Sequence, residues 1–541
     1  MTSPEGNKTT MTEGSALDPL RHPVFAALWI ATVVSNIGTW MQNAAAGWLM
    51  AGLTQDAFIV SLVQVATMLP VVLLGLPAGA LADIVNRRKL LLSVNVALTV
   101  IVAALGFLVW LDWVTPTILL IFTFLVGAAS ALIAPAWQSI VPSLVPREDL
   151  QAAVSLNSVG INISRAVGPA LAGVIIGVSG LAAPFWLNAL STLGVIAVLL
   201  WWRPADGVEH SLPPERFHSA LGVGWRHARH NRHLTATLMR AAGFFVFASA
   251  YWALLPLVAR DQIASGPQLY GLLLGTIGVG AVGGAFLLPK LKAALGPNNL
   301  VAAASAGTAL ALLFFGLARS PVVGLTAALI AGVSWIAVLA PLNVSAQVAL
   351  PAWVKGRGLA IFATVQFGAM TLGSAFWGQF AKLTSLPVAH FVAAASTLVM
   401  IPLLARWKLQ TGAAVDLTPS MHWPAPVISR EVEDDHGPVQ VIIEYTIAPE
   451  DREAFLATIH EFGPERLRDG AYGWDIFEDA AQPGRMVETF FIPSWLEHQR
   501  QHHRVTSADR DVQGRLLAFH KGSSPPVVQH LIAARSKKNT R

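Results

Sequence analysis

Twelve apolar stretches, each about 20 residues or longer, make up most of the chain before residue 410. An α-helix needs about 20 consecutive apolar residues to cross the hydrocarbon core of a bilayer. Of the 541 residues, 54% are hydrophobic and only 12% are charged, whereas soluble domains carry about 25% charged residues. The sequence therefore predicts an all-α membrane protein with spans near 24–50, 58–82, 90–111, 116–141, 152–178, 181–202, 234–259, 269–289, 299–318, 321–349, 358–381 and 386–405.

Lysine and arginine occur mainly in alternate loops between these stretches. If the N-terminus lies inside, the external loops hold only Arg260, Arg319 and Lys382. Basic residues favour the cytoplasmic side, so both termini are predicted to be cytoplasmic. Because the positive charge flanks membrane spans, the net charge of +5 does not indicate a nucleic-acid partner. Residues 1–23 are polar, so no cleavable signal peptide is expected, and the absence of cysteine excludes disulfides and thiolate metal sites.

The spans form two sets of six that repeat each other. A shift of about 205 residues aligns four glycine pairs, and the first spans align slightly further apart, with Trp40 opposite Tyr251. Chance apolar repeats do not keep glycines in register, so two six-helix bundles of common ancestry are predicted. The aligned pairs are Gly75 with Gly280, Gly79 with Gly284, Gly168 with Gly373, and Gly173 with Gly378.

Changes in composition mark the domain boundaries. Residues 1–20 are predicted to be a disordered N-terminus, and the bundles cover 21–202 and 234–410. The basic segment 203–233 is predicted to be a cytosolic amphipathic linker, and 411–437 is a second, proline-rich linker. A soluble domain at 438–533 and a tail at 534–541 complete the chain.

Residues 438–533 alternate between strand-like and helix-like patterns in the order β-α-β-β-α-β. That order predicts a ferredoxin-like α+β fold. Glu497, His498, His502 and His503 are near one another in one helix of this domain, but no glutamate lies between the histidines as in zinc hydrolases. We therefore expect a solvated helix face, no metal and no cofactor.

The stretch from Gly79 to Lys89 joins an apolar run to a cluster of positively charged residues. Small residues at Gly75 and Gly79 would let a neighbouring helix backbone approach closely. Asp83 follows at the membrane edge, with Arg87 and Arg88 beyond it. We interpret this stretch as a gate formed by Gly79, Asp83, Arg87 and Arg88, in which Asn86 takes the left-handed turn conformation.

Polar and aromatic residues inside the apolar spans are candidates for a solute path. In the first span Asn36, Trp40 and Asn43 share one helix face. Arg165 lies deep in the fifth span, where a charge is costly and indicates function by default. The remaining candidates for substrate binding are Trp137, Gln138, Tyr251, Trp252, Trp335 and Asn343.

The stretch Gly-Ala-Leu-Ala-Asp83-Ile-Val-Asn-Arg87-Arg88-Lys resembles the loop 2–3 signature of major facilitator superfamily transporters, although Ile84 and Asn86 depart from it. The sequence Gly168-Pro169 with Gly173 is similar to part of the span-five signature of drug:proton antiporters. Together with the soluble tail, the chain resembles the enterobactin-exporter-like branch, or transmembrane secretion effectors. The tail resembles antibiotic-biosynthesis-monooxygenase domains, which implies a homodimer through this domain.

The resemblance implies that the chain is not an enzyme but an antiporter for small amphipathic molecules (a drug, siderophore or secondary metabolite). It implies export across the cell inner membrane by alternating access, with protons as the coupling ion. Besides the small-molecule substrate, the lipid bilayer is the expected partner. Two alternatives remain open: an importer of a small solute, and a membrane-anchored protein whose C-terminal domain is the active enzyme.

Overall fold

The computed structural model describes residues 17–202, 226–351, 353–410, 416, 418, 420, 422–423, 432–433 and 436–534. Residues 1–16 of the predicted disordered start, most of both linkers and the last residues of the tail lie outside this part. At the end of that start, Asp18–Arg21 form a 3-10 helical turn with Pro19 buried, so the disorder predicted for these positions was wrong. The chain divides into two units. The first comprises Met1–Glu209, Ala242–Val338 and Gln366–Leu403, and the second comprises His210–Ala241, Leu339–Val365 and Leu404–Arg541.

Local sequence signals start the helices of the first set. Proline occupies the first turn of the helices that begin at Pro23 and Pro116, where its missing N–H is not needed. The carboxylate of Asp56 accepts a hydrogen bond from Phe58 N (3.0 Å) and so caps the second helix. The six helices are α1 (Pro23–Leu53), α2 (Ala57–Ile84), α3 (Arg87–Trp110), α4 (Pro116–Ile140), α5 (Leu150–Ser179) and α6 (Ala183–Trp201).

The second set contains five helices, one of which accounts for two predicted spans. Its helices are α7 (Arg232–Leu257), α8 (Pro267–Leu317), α9 (Pro321–Val348), α10 (Lys355–Leu383) and α11 (Leu386–Leu404). The 51-residue α8 breaks at Gly296, whose φ of 71° is non-helical. In total, the part of the chain that the structure describes has 11 helices long and apolar enough to cross a membrane. The two arms of α8 correspond to the spans predicted at 269–289 and 299–318.

Helix α5 packs through its small residues against two neighbours. A Cβ built on Gly168 would lie 2.6 Å from Trp40 Cβ of α1, and one built on Gly173 would lie 2.7 Å from Pro267 O of α8. The counterpart helix α10 repeats both contacts. Gly373 abuts Ser249 of α7, and Gly378 abuts Ser61 of α2. The predicted internal repeat is therefore visible as equivalent helix pairs within the first unit.

The contacts also correct part of the predicted alignment. Gly127 of α4 and Gly332 of α9 are 205 residues apart, as the predicted shift requires. However, Gly127 contacts Ala66 of α2 and Gly332 contacts Ile277 of α8, and these two contacted residues are 211 apart (277 minus 66). By these contacts, the pairing of Gly75 with Gly280 and of Gly79 with Gly284 is offset by six residues (211 minus 205), or about 1.7 helical turns. Likewise the counterpart of Trp40 is Ser249, not Tyr251.

The soluble domain has the predicted order of elements. These are β1 (Val439–Thr446), α12 (Arg452–Arg468), β2 (Tyr472–Glu478), β3 (Arg485–Ile492), α13 (Trp495–Arg504), α14 (Ser507–Leu517) and β4 (Val527–Ile532). The strands form one antiparallel sheet in the order β2-β3-β1-β4. One face of β1 and β3 is buried beneath the helices, as the alternation along each strand requires.

A buried ion pair lies in the core of this domain. Arg466 Nε donates to Glu488 Oε1 at 3.0 Å, and both side chains are almost fully buried. Tyr445 Oη and Trp474 Nε1 also donate to this carboxylate, each at 3.0 Å. Removing one partner of such a network would leave an unpaired buried charge, which costs several kcal/mol.

The histidine-rich helix of the domain is not the solvated face that its sequence suggested. His498 is 2% exposed and Glu497 is 7% exposed. The His498 ring packs against His502 and His530, with centroid distances of 4.9 and 4.7 Å. Burial, with smaller contributions from these two rings, lowers the pKa of His498 to about 3. Among the described residues no group of three His, Cys, Asp or Glu side chains could hold a metal ion.

Glu465 gives this domain a testable pH dependence. Burial, reinforced by the charge of Asp509, raises the pKa of Glu465 to about 8. Burial also raises the pKa of Asp469. An acid whose pKa is raised by folding stabilises the fold fully below its unfolded pKa and loses that stabilisation as the pH rises. Below about pH 6.5 the depressed pKa of His498 has the opposite effect, so we expect the melting temperature of the soluble domain to fall from about pH 6.5 to pH 8.

Replacing Glu465 with glutamine should flatten this decline, because glutamine does not ionise. The measurement is domain-specific hydrogen exchange in the full chain at several temperatures, at about pH 6.5 and pH 8. Glu461→Gln is the matched control, since that side chain is 54% exposed. A slope that stays the same in Glu465→Gln would contradict the assignment.

Candidate functional site

The candidate face of α1 carries two amides without partners. Asn36 and Asn43 are half-buried, and neither side chain hydrogen-bonds to another residue in the described ranges. The neighbouring Gln42 is different, because its Oε1 accepts a 2.5 Å hydrogen bond from Asn188 Nδ2 of α6. Helix α1 thus uses Gln42 to bind α6 and leaves Asn36 and Asn43 available to a ligand.

Arg165 and Trp40, two of the predicted residues, are in contact. The Arg165 guanidinium lies over the Trp40 ring, with Cζ 5.2 Å from the ring centroid. This contact depends on the close approach of α1 and α5 at Gly168. Arg165 Nε is buried and has no hydrogen-bond partner among the described residues. The indole stabilises the cation only in part, so the remaining donor can bind an acceptor on a solute.

Three further candidates form an aromatic cluster in the second set of helices. The Trp252 ring meets Trp335 at 5.5 Å in a T-shaped arrangement and Tyr251 at 5.6 Å. The indole N–H groups of Trp252 and Trp335 and the Tyr251 hydroxyl are buried and find no hydrogen-bond partner in the described part of the chain. Phe245 and Phe315 extend the cluster, packing on Trp335 at 5.2 Å and on Tyr251 at 5.9 Å. Sequence reasoning missed these two, although Phe245 shares a face with Trp252 at a spacing of seven.

The other predicted binding residues have different surroundings. Trp137 lies in the hydrophobic core of the first bundle, and its Nε1 donates to Asn157 Oδ1 at 3.2 Å. This bond satisfies the indole, so we assign Trp137 to packing and leave it out of the site. Gln138 is exposed. Asn343 donates to the carbonyl of Leu339 in its own helix at 3.0 Å.

The connection between α2 and α3 differs from its predicted geometry. Asn86 has φ −55°, not a left-handed conformation, and its side chain accepts from Lys89 N to cap α3. Arg87 Nη1 donates to Ser139 O at 3.3 Å, and Arg88 Nε donates to Leu199 O at 2.7 Å. Both arginines therefore tie the connection to the ends of α4 and α6 in their own bundle. The side chain of Asp83 lies outside the described residues.

Within the first unit, the contact between α2 and α10 is looser at Gly368 than at Gly378. Gly378 of α10 is in tight contact with Ser61 near the start of α2. Further along, a Cβ on Gly368 would lie 4.0 Å from Val72 Cγ2. At Gly75 and Gly79 no described atom lies within 4 Å of a built Cβ. Among the described residues, none therefore packs against α2 at Gly75 and Gly79.

The opposite end of the first unit is held together by polar contacts between the two sets. Lys382 Nζ donates to Asp56 Oδ2 at 2.7 Å, and this hydrogen bond lowers the pKa of Asp56. Arg260 Nη1 donates to Thr54 O at 3.2 Å, and the Trp48 and Tyr270 rings stack at 5.9 Å. These contacts were not predicted from the sequence. The signal available there was an acid, Asp56, and a base, Lys382, in predicted external loops of different halves.

A family model of transmembrane secretion effectors matches residues 14–538, nearly the whole chain. The chain belongs to this family. As a transmembrane secretion effector it is a multi-pass membrane transporter of the major facilitator type and not an enzyme.

Relatives of this transmembrane secretion effector include transporters with named substrates. It is 27% identical to the staphyloferrin A transporter of Staphylococcus aureus over 271 residues, which cover 49% of this chain and 66% of the relative. It is 24% identical to the enterobactin exporter EntS of Escherichia coli O1:K1 over 394 residues, covering 71% of this chain and 91% of the relative. These relatives are transporters for small molecules.

Solved structures agree on the fold. A bacterial homologue of the human lysosomal transporter Spinster, inward-facing and unoccupied, has a TM-score of 0.53 at 15% identity and covers 73% of this chain and 97% of its own. A POT family transporter in complex with 5-aminolevulinic acid has a TM-score of 0.58 at 12% identity, with 71% and 95% coverage. Both likenesses establish the major facilitator fold alone.

Proposed function

We propose that this protein exports small, anionic, amphipathic molecules across the inner membrane by alternating access, with protons as the coupling ion. The observation that carries the proposal is the asymmetry of the first unit. Its two helix sets meet at Asp56 and Lys382 at one end, whereas at the other end no described atom lies within 4 Å of a Cβ built on Gly79. A transporter open on one side and closed on the other has this arrangement.

The direction of the opening follows from the charge distribution. Basic residues favour the cytoplasmic side, and Arg87, Arg88 and Lys89 follow the open face directly. The open face is therefore cytoplasmic in this proposal, and the end held by Asp56 and Lys382 is external. An exporter must load its substrate from the cytosol, and the conformation described here fits that step.

The substrate class follows from the hydrogen-bonding groups of the candidate site. Arg165 and Trp335 contribute N–H donors that have no partner among the described residues, and these side chains have no acceptor. Within the bounds of α1–α11, Asp83 is the one acidic residue. A ligand must therefore supply acceptors or negative charge, with apolar or aromatic surface for the rings. Staphyloferrin A and enterobactin, in the names of the relatives, suggest a siderophore or an acidic secondary metabolite.

Transport into inside-out vesicles is the direct test of this function. With an acidic lumen, we expect labelled anionic siderophores to accumulate and a cationic dye to be excluded. A protonophore should abolish the accumulation. Accumulation in right-side-out vesicles instead would favour an importer, and no transport of any anionic compound would overturn the proposal.

Replacing Asp83 with asparagine tests the gate in the same assay. We expect the transport rate to fall about tenfold or more. In the closed gate the carboxylate at the end of α2 would make charged contacts, and asparagine has no charge with which to make them. Protein level in the membrane should stay normal. Val85→Ala, at an exposed position next to the gate, is the control. Normal transport by Asp83→Asn would remove Asp83 from the gate.

We also propose that the soluble domain mediates a homodimer. The sheet face opposite the helices carries exposed apolar side chains, among them Phe477 (53%), Val527 (51%) and Leu531 (49%). Burying these side chains against a second copy would remove apolar area from water. Mass photometry of the purified chain should show a dimer that Leu531→Glu dissociates, and a monomeric wild type would contradict this.

A further inference from the structure

Trp353 forms a contact between the soluble domain and the helices of the second unit. It lies in the turn between α9 and α10. From one side the His227 ring meets it edge-on, with centroids 5.4 Å apart and planes at 89°. From another side the guanidinium of Arg504 lies over the indole, with Cζ 4.6 Å from the ring centroid. Arg504 is the last residue of α13, so the soluble domain reaches the turn directly.

Arg504 is presented to Trp353 by the fold of the soluble domain. The guanidinium pairs with Glu497 about two turns earlier in α13, and its Nη1 donates to Asp469 O at 3.2 Å. The side chain is 4% exposed. These bonds fix its position before it meets the indole, so little side-chain entropy is lost in the contact. A desolvated cation–π contact of this kind is among the stronger ones.

The helical turn at 226–230 completes the contact from the membrane side. His227 is 1% exposed, and burial lowers its pKa to about 3, which leaves the ring neutral at physiological pH. Asn231 Nδ2 donates to Ala349 O at 2.7 Å, and its Oδ1 accepts from His233 N and Leu234 N. Asn231 thus joins this turn to the start of α7 and the end of α9. The turn that holds Trp353 joins α9 to α10, and Asn231 connects the end of α9 to the start of α7. The turn is therefore connected to three helices and, through Arg504, to the soluble domain.

We propose that the soluble domain braces the α9–α10 turn through the Arg504–Trp353 contact and thereby controls how readily the second helix set changes conformation. This inference rests on the proposed transport function for its kinetic consequence, but the brace itself is a property of the second unit. The Trp353 contact is what couples domain and turn.

Hydrogen exchange in the full chain tests the brace without reference to transport. In Trp353→Leu, we expect peptides from α13 and from residues 349–358 to exchange about five- to tenfold faster than in the wild type. Trp353→Phe keeps an aromatic face for Arg504 and His227 and should stay within about twofold. Trp113→Leu, at a 66% exposed indole in the α3–α4 connection, is the control and should leave these peptides unchanged. Unchanged exchange in Trp353→Leu would overturn the brace.

Transport by the same variants tests its consequence. We expect Trp353→Leu to raise the maximal rate about threefold with an unchanged KM, because the loosened turn leaves the braced conformation more easily while the solute site is intact. Faster exchange with an unchanged rate would overturn control by the domain and leave a packing contact. If the wild type transports no substrate, the proposed function fails, and the exchange result alone then decides whether the brace exists.

Discussion

Replacing Arg165 with alanine will raise the KM for an anionic substrate by about ten- to a hundredfold, since a hydrogen bond to a charged group contributes about 1.5–3 kcal/mol. Arg165 Nε has no partner among the described residues, and the Trp40 ring is the contact found for its charge. The solute would supply the missing acceptor. Vesicle transport over a range of substrate concentrations measures the effect.

Thermal stability separates binding from a structural role for Arg165. A cation held deep in a membrane helix without a full set of acceptors destabilises the empty protein. Arg165→Ala should therefore melt at a higher temperature than the wild type while transporting poorly, as expected where a site is kept for function at the expense of stability. Arg165→Lys keeps the charge without the planar guanidinium and should lie between the two. A lower melting temperature with an unchanged KM for every substrate would assign Arg165 to the fold.

Replacing Gly79 with leucine will reduce the transport rate by about ten- to a hundredfold without lowering the protein level in the membrane. In the conformation described here no described atom lies within 4 Å of a Cβ at Gly79, so leucine fits without a clash. Leucine is also the better helix former. In the closed conformation another helix must approach this face, and the added side chain would cost about 1–3 kcal/mol. Initial rates in vesicles and the melting temperature are the measurements.

Gly52→Leu is the matched control for the Gly79 prediction. Gly52 also lies in a helix end with no described atom within 4 Å of its built Cβ, but at the opposite end of the bundle. Its replacement should leave transport unchanged. Gly168→Leu is the opposite control, because Trp40 Cβ lies 2.6 Å from its built Cβ and the protein should fail to accumulate. Normal transport by Gly79→Leu would mean that no helix closes on this face.

Features that depend on local sequence were predictable. Apolar length located the spans of both sets, including the two that α8 joins through Gly296. Residue alternation located the four strands, and their chain order indicated the ferredoxin-like sheet. Hydropathy and strand alternation survive in any tertiary arrangement, because each depends on residues within one helix or one strand.

Features that depend on which helix faces which were not predictable. Trp137 and Trp40 are similar as sequence features, but Trp137 bonds to Asn157 in the core and Trp40 meets Arg165. Asn86 was expected to turn the chain and instead caps α3. His498 was expected in solvent and is buried against two other histidines. In each case the neighbour comes from a distant segment whose rotation about its own axis no local pattern determines.

The sequence by itself determined that this protein crosses the membrane repeatedly in two related halves and carries an α+β domain at its end. These properties follow from hydrophobic length, from strand alternation, and from the register of Gly168 and Gly173 with Gly373 and Gly378. Only the tertiary structure decided that Arg165 lies on Trp40, that the Gly79 face is open, and that Arg504 holds Trp353. Such contacts form where separate helices or domains approach within a few ångströms. Close packing of side chains determines which segments approach each other, and the order of residues along the chain does not.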